Sequence, residues 1–191
     1  GIGNSNDFKT VEAAGFRYTR NVVQPKGLNP QTRFIRLTGP RQPTMRYFDF
    51  TLTPEDGAIH PVDRAIAETG AISRISLMHI DALGDGTGVL LYRLEGMPDV
   101  LVPDIGDHPD VISYDLLDAD DDEFHLYLHI EPGNPAGALM MLAEKYALMI
   151  DTPIDFTRRG ALRLTVIGAH DMVKQAIEEL PGDISVNIEQ V

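Results

Sequence analysis

Two periods of hydrophobic and polar residues interleave along this chain in a fixed order. From Met45 to Thr53, Phe48, Phe50 and Leu52 fall on one side, which predicts a half-buried strand. His60-Pro61 then opens a short helix. Proline suits the first helical position, Val62, Ala65 and Ile66 supply an apolar stripe, and Gly70 ends it. Residues 72–81 predict a strand, Gly84-Asp85-Gly86-Thr87-Gly88 a turn, and Val89 to Glu95 another strand. Met97 to Ile105 reads as a weak helix, because Pro103 sits inside it, and Val111 to Leu117 as a fourth strand.

The same order, β-α-β-β-α-β, comes round again. Phe124, Leu126, Leu128 and Ile130 alternate with His125, Tyr127 and His129. Asn134-Pro135 starts a helix striped by Leu139, Leu142, Ala143 and Tyr146. Residues 148–156 predict a strand, placed at a sheet edge by Pro153, which has no N–H for a ladder. Leu162, Leu164 and Val166 alternate after the Arg158-Arg159-Gly160 turn. His170 to Leu180 is a helix with Val173, Ala176 and Ile177 inward, stopped by Pro181-Gly182, and Ile184, Val186 and Ile188 form the last strand. In the two halves LLYRLEG matches LRLTVIG, Gly96 falling on Gly168. The expected fold is therefore α+β, a tandem pseudo-repeat of two ferredoxin-like or ACT-like βαββαβ units over 45–117 and 124–191. Each unit is small enough that the two are expected to share an interface.

Between them, residues 118–123 are Asp-Ala-Asp-Asp-Asp-Glu. They have the composition of a calcium loop but lack the central Gly and distal Glu of an EF-hand, so they read as a linker of like charges. Charge also divides the chain at Met45. Residues 1–44 hold seven basic and two acidic residues, and residues 45–191 hold nine basic and 27 acidic. Residues 1–44 lack periodicity. Either the natural chain starts at Met45, or 1–44 is a genuine N-terminal arm; the residues leave both open. With a net charge of −13, the chain as it stands repels phosphate backbones and is a poor nucleic-acid binder. The absence of Cys excludes disulfides, cysteine-ligated metals and a thiol nucleophile. Without a spanning apolar run or a signal peptide, a cytoplasmic location and no membrane partner are expected.

Chemistry is sparse. Gly84 to Gly88 joins two strands, whereas a phosphate loop needs a helix after the glycines. His125 and His129 on one strand lie about 13 Å apart, too far to share a metal ion. The remaining histidines, His60, His79, His108 and His170, read as caps or surface groups. No catalytic motif is found, and the 27 acids single out no carboxylate pair. No catalytic residue, metal site or cofactor is expected. The better clue is the sheet face that helices leave open. One unit shows His125, Tyr127, His129, Arg163 and Thr165 there, the other Tyr47, Asp49, Thr51, Leu91 and Arg93. Arg93 and Arg163 lie on corresponding strands of the two halves, each expected to be central. A guanidinium there suits the carboxylate or phosphate of a metabolite, or an internal pair with an acid. The candidate ligand-binding residues are Arg93, His125, Tyr127, His129 and Arg163.

Three motifs carry a resemblance: Gly57-Ala58-Ile59-His60-Pro61-Val62, Gly84-Asp85-Gly86-Thr87-Gly88-Val89-Leu90-Leu91-Tyr92, and Thr152-Pro153-Ile154-Asp155-Phe156. Together they resemble the N-terminal region of haloarchaeal transcriptional regulators of the bacterio-opsin activator type, over residues 45–191. An acidic body with only two Lys, Lys145 and Lys174, suits such a source. The resemblance implies a regulatory domain whose helix-turn-helix module, of family 10, would follow Val191 and through which alone DNA would be bound. It implies no ligand and no catalytic residue. Such a domain senses a small-molecule effector, or forms a homodimer so that two readers meet a two-fold operator. The rival classes are a small-molecule enzyme on ferredoxin-like units and a purely structural dimerisation module.

Overall fold

Every strand expected from the alternating pattern forms, and all of them enter one sheet. The computed structural model describes residues 9–13, 16–20, 44–118, 122–133 and 135–190, which divide between two units, 1–41 and 42–191. In the first unit β1 (Lys9–Ala13) and β2 (Phe16–Arg20) pair antiparallel, with Val11 opposite Tyr18. In the second unit β3 (Met45–Pro54), α1 (Pro61–Glu68), β4 (Ile72–Ala82), β5 (Gly88–Gly96), α2 (Val102–Gly106) and β6 (Val111–Asp118) come first. Then follow β7 (Glu123–Ile130), α3 (Ala136–Lys145), β8 (Met149–Phe156), β9 (Leu162–Ala169), α4 (His170–Glu178) and β10 (Ile184–Gln190). The unit is mixed α+β, with four α-helices and one eight-stranded antiparallel sheet among the described residues. The weak helix expected over Met97–Ile105 forms as two pieces, a 3₁₀ turn at Pro98–Val100 and the five-residue α2, with Pro103 in the first turn of α2. Asn134, expected at the start of α3, and the linker residues 119–121 lie outside the described residues.

The strand order is β10-β3-β9-β8-β4-β5-β7-β6. Thus β3 has both neighbours in the other half of the sequence: Phe50 faces Leu164 of β9 and Ile188 of β10. Reciprocally β7 lies between β5 and β6, with Leu126 opposite Tyr92 and Leu116. Each half of the sheet is built from three consecutive strands of one sequence half and the first strand of the other. The crossing connections touch, the Ala136 N–H donating to Ile59 O at 2.9 Å. Local alternation says which face a residue takes, not which strand lies alongside, so this exchange has no signature in the pattern.

The edge position expected for the strand of Pro153 does not hold. β8 is internal, between β9 and β4. Its ladder with β9 is interrupted between Asp151 and Asp155, and its ladder with β4 is limited to Ser76–Asp155 and Leu77–Ile154. Proline is tolerated inside the sheet because neither ladder uses an N–H at position 153.

The helices cover one face. Phe48, Phe50, Leu52, Leu90, Tyr92, Leu94, Phe124, Leu126, Leu128 and Ile130 are buried in one core that runs through both halves of the sheet. A second contact, Leu142 and Tyr146 of α3 with Ala176 of α4, holds the later helices together.

At the end of α3 the N–H of Leu148 donates to Ala143 O at 2.8 Å and that of Ala147 to Glu144 O at 3.2 Å, a Schellman closure. Its left-handed position, φ 51°, holds Ala147 rather than glycine. An L-residue there costs about 1–2 kcal/mol. Ala147→Gly should therefore stabilise the protein by about 0.5–1 kcal/mol after the added chain entropy, as an upward shift in urea midpoint at constant m-value. The exchange of first strands gives a second expectation. Residues 45–117 and 122–191, expressed separately, should show no cooperative melting, and mixing them should restore it. A cooperative transition in either fragment alone would show that β3 and β7 are dispensable to their host halves.

Candidate functional site

The antiparallel register sets the open face of the sheet out in rows. One row runs Asn187, Thr51, Arg163, Asp155, Ser76, Arg93, His125 and Leu117 across all eight strands. Arg163 and Arg93 are thus aligned, on opposite sides of the β8–β4 seam. They are three strand spacings apart, about 14 Å. The neighbouring row pairs Leu91 with Tyr127 and His79, and the next pairs Val89 with His129. Four of the five candidate residues, Arg93, His125, Tyr127 and His129, therefore lie together on the β5–β7 half, all half-buried. Arg163 lies on the other half. Its cross-strand neighbours are Thr51 of β3 and Asp155 of β8, and the next row holds the Asp49–Thr165 pair, in which Thr165 Oγ1 donates to Asp49 Oδ1 at 2.7 Å.

The two arginines differ. Arg93 is held by Glu123, with Nε 2.8 Å and Nη2 2.6 Å from Oε2. Arg163 is exposed, and no ion pair among the described residues includes it. His129 has a structural task. Thr87 Oγ1 donates to Asp85 Oδ1 at 2.7 Å, so its oxygen accepts from His129 Nε2 at 2.8 Å. This chain ties the hairpin turn between β4 and β5 to β7, and the two Thr87 hydrogen bonds, side chain first, hold the Asp85 carboxyl below its ordinary range. The glycines at 84–88 form the expected hairpin turn. The principal concavities of the described residues lie elsewhere, and none is lined by the five candidates.

The covered face holds a polar cluster that the sequence reading did not assemble. His60 is the N-cap of α1: its Nδ1 accepts the Asp63 N–H at 3.1 Å, so its proton sits on Nε2, which donates to Tyr92 Oη at 2.9 Å. Asp63 Oδ2 reaches back to accept the N–H of Ile59, the residue before the cap, at 2.9 Å, one position short of the reciprocal bond of a capping box. Asp63 is fully buried and faces Arg74, Nη1 to Oδ1 2.9 Å, in a contact that is ionic rather than a directional hydrogen bond. Arg74 also donates to Gly57 O at 3.0 Å and lies 4.9 Å above the Phe156 ring, which stacks on Tyr92. A Cβ on Gly160 would lie 2.2 Å from Gly57 O and 2.8 Å from Arg74 Nη2, so only glycine lets the two loops close over the guanidinium. The spacing His60–Asp63 was a visible capping signal. Arg74 gave none, because its partners come from α1 and β8.

Burial pushes His60 down from 6.5 to about 4, against the raising effect of Asp63, and pushes the Tyr92 phenol well above its ordinary 10. A folded-state pKa below the unfolded one makes His60 destabilising when protons are plentiful. Its contribution is intact above pH 6.5 and is lost as pH falls toward 4, by about 3 kcal/mol in total. His60→Asn keeps a capping oxygen and removes the titration. Urea midpoints should fall between pH 6.5 and 4 more steeply in the parent than in this variant; equal slopes would mean that His60 does not titrate with unfolding.

No helix among the described residues is long and apolar enough to cross a membrane. No group of three or more metal-ligating side chains is found among them. Compared with known protein families, residues 60–191 match the model of HVO_0513_N, described as N-terminal. The match does not tie the chain to bacterio-opsin activator regulators. No curated protein matches the chain.

Proposed function

We propose, since the chain belongs to the HVO_0513_N family of haloarchaeal N-terminal domains, that it is the regulatory domain of a bacterio-opsin activator-like transcriptional regulator. It senses a small anionic effector and leaves DNA reading to a separate helix-turn-helix module. Two ferredoxin-like units underlie it, each having lent the other its first strand. The strand orders β10-β3-β9-β8 and β6-β7-β5-β4 support this, since both read fourth, first, third, second once the exchange is made.

The observation that carries the reading is Arg163. An exposed guanidinium faces out of an internal strand, in line with Arg93, and although Asp155 stands opposite it on β8, no ion pair among the described residues engages it. Guanidinium is the side chain suited to bidentate recognition of a carboxylate or phosphate. The cluster that most resembles catalytic machinery, His60 with Asp63 and Tyr92, is buried and spends its hydrogen bonds on a helix cap. That favours a sensor over an enzyme.

The test is genetic and biophysical together. Deleting the gene should change a set of transcripts, and the Arg163→Ala product should fail to restore them. Its stability should stay within about 0.5 kcal/mol of the parent, because the side chain is exposed. Full restoration would remove Arg163 from effector binding, and a deletion without transcript changes would defeat the regulatory reading. Residues 45–191 alone should give no sequence-selective shift of duplex DNA at physiological salt.

A further inference from the structure

The two helices over the β10-β3-β9-β8 half do not fill the space above it. α3 and α4 touch through Leu142, Tyr146 and Ala176. At their C-terminal ends Tyr146 Oη and Lys145 Nζ both donate to the Glu179 carboxylate, the lysine at 2.7 Å, and this clasp holds the helix ends at a set spacing. Between the helices and the sheet lies a cavity of about 70 Å³.

The register brings its floor together. Phe50 stands opposite Leu164 and Ile150 opposite Val166, so all four side chains lie on the covered face. Ala143 of α3 and Ala176 of α4 line the sides, and a larger side chain at either position would take up the space. Ala143 and Ile177 are half-buried, which leaves an entrance between the helices. Fourteen side chains line the cavity and every one is apolar. A buried water needs two to four polar partners, and no lining side chain offers one, so the cavity is dry.

From this we infer that the cavity is a binding site for a small neutral hydrocarbon. A carbon-sized group takes roughly the ~30 Å³ of a water molecule, so the cavity holds about two or three of them. A charged or hydrogen-bonding molecule would give up its hydration there and find no partner in return. The site lies on the covered side of the sheet, away from the arginine-bearing open face, and does not rest on the regulatory reading.

Methyl-resolved NMR of the full chain under rising pressures of propane, with ethylammonium as the charged molecule of the same size, tests it. Propane should give saturable shifts centred on the methyl groups of Leu164, Val166 and Ile177, and ethylammonium at the same concentration should leave them in place. Ala143→Leu fills the cavity with a good helix former, so the melting temperature should rise and the propane shifts should vanish. Leu180→Ala tests the same site in the other direction. It widens the cavity at the end of α4, and should admit pentane, which the parent excludes, with shifts of the same three residues. This second variant decides the matter if leucine at 143 lowers the melting temperature instead. Propane shifts that do not saturate or that lie elsewhere, equal response to ethylammonium, or pentane shifts no different between Leu180→Ala and the parent would each overturn the assignment.

Discussion

The structure depends on where β3 lies. Paired with β9 on one side and β10 on the other, it delivers Phe48, Phe50 and Leu52 to the core under α3 and α4 rather than to the strands that follow it in sequence. β7 does the same for the other half, delivering Leu126 and Leu128 beside β5. Two halves that each lack a central strand without the other cannot come apart as independent domains. The single core follows from this, as does the contact of the two crossing connections at Ile59 and Ala136.

Where the halves meet, apolar packing is supplemented by a buried charge. Arg74 of β4 is held by Asp63 of α1, by Gly57 O and by the Phe156 ring of β8. Such a pair contributes little net stability once desolvation is counted, but losing one partner strands a buried charge at a cost of about 3–5 kcal/mol. That asymmetry fixes the relation of α1 to the seam more sharply than hydrophobic contact does. The His60–Tyr92 hydrogen bond extends the same constraint to β5.

The seam also divides the surface chemically. The thin β4–β8 ladder puts Asp155 and Ser76 between Arg163 and Arg93 on the open face, and leaves a gap between the two strands beyond Leu77, beside the last turn of α3. Internal strands are the places where a sheet can be interrupted without exposing an edge to other chains. Pro153 and the Asp151–Asp155 irregularity make that interruption here.

Periods of two and three to four residues determined the strands, the helices, their order and the face each side chain takes, because these follow from local geometry that Phe48, Phe124 or Val173 reports by itself. The hairpin at 84–88 and the capping role of His60 were legible for the same reason. So was the membership of Arg93, Tyr127 and Arg163 in one face. Tertiary structure alone decided that β3 lies between β9 and β10 and β7 between β5 and β6, that β8 is internal despite Pro153, that His129 is bonded to the Thr87 turn, and that Arg74 finds Asp63. Each of these is a choice between partners distant in sequence. Hydrogen-bonding backbone is the same in every strand, so alternation cannot name a partner; only the closing of a common core selects it.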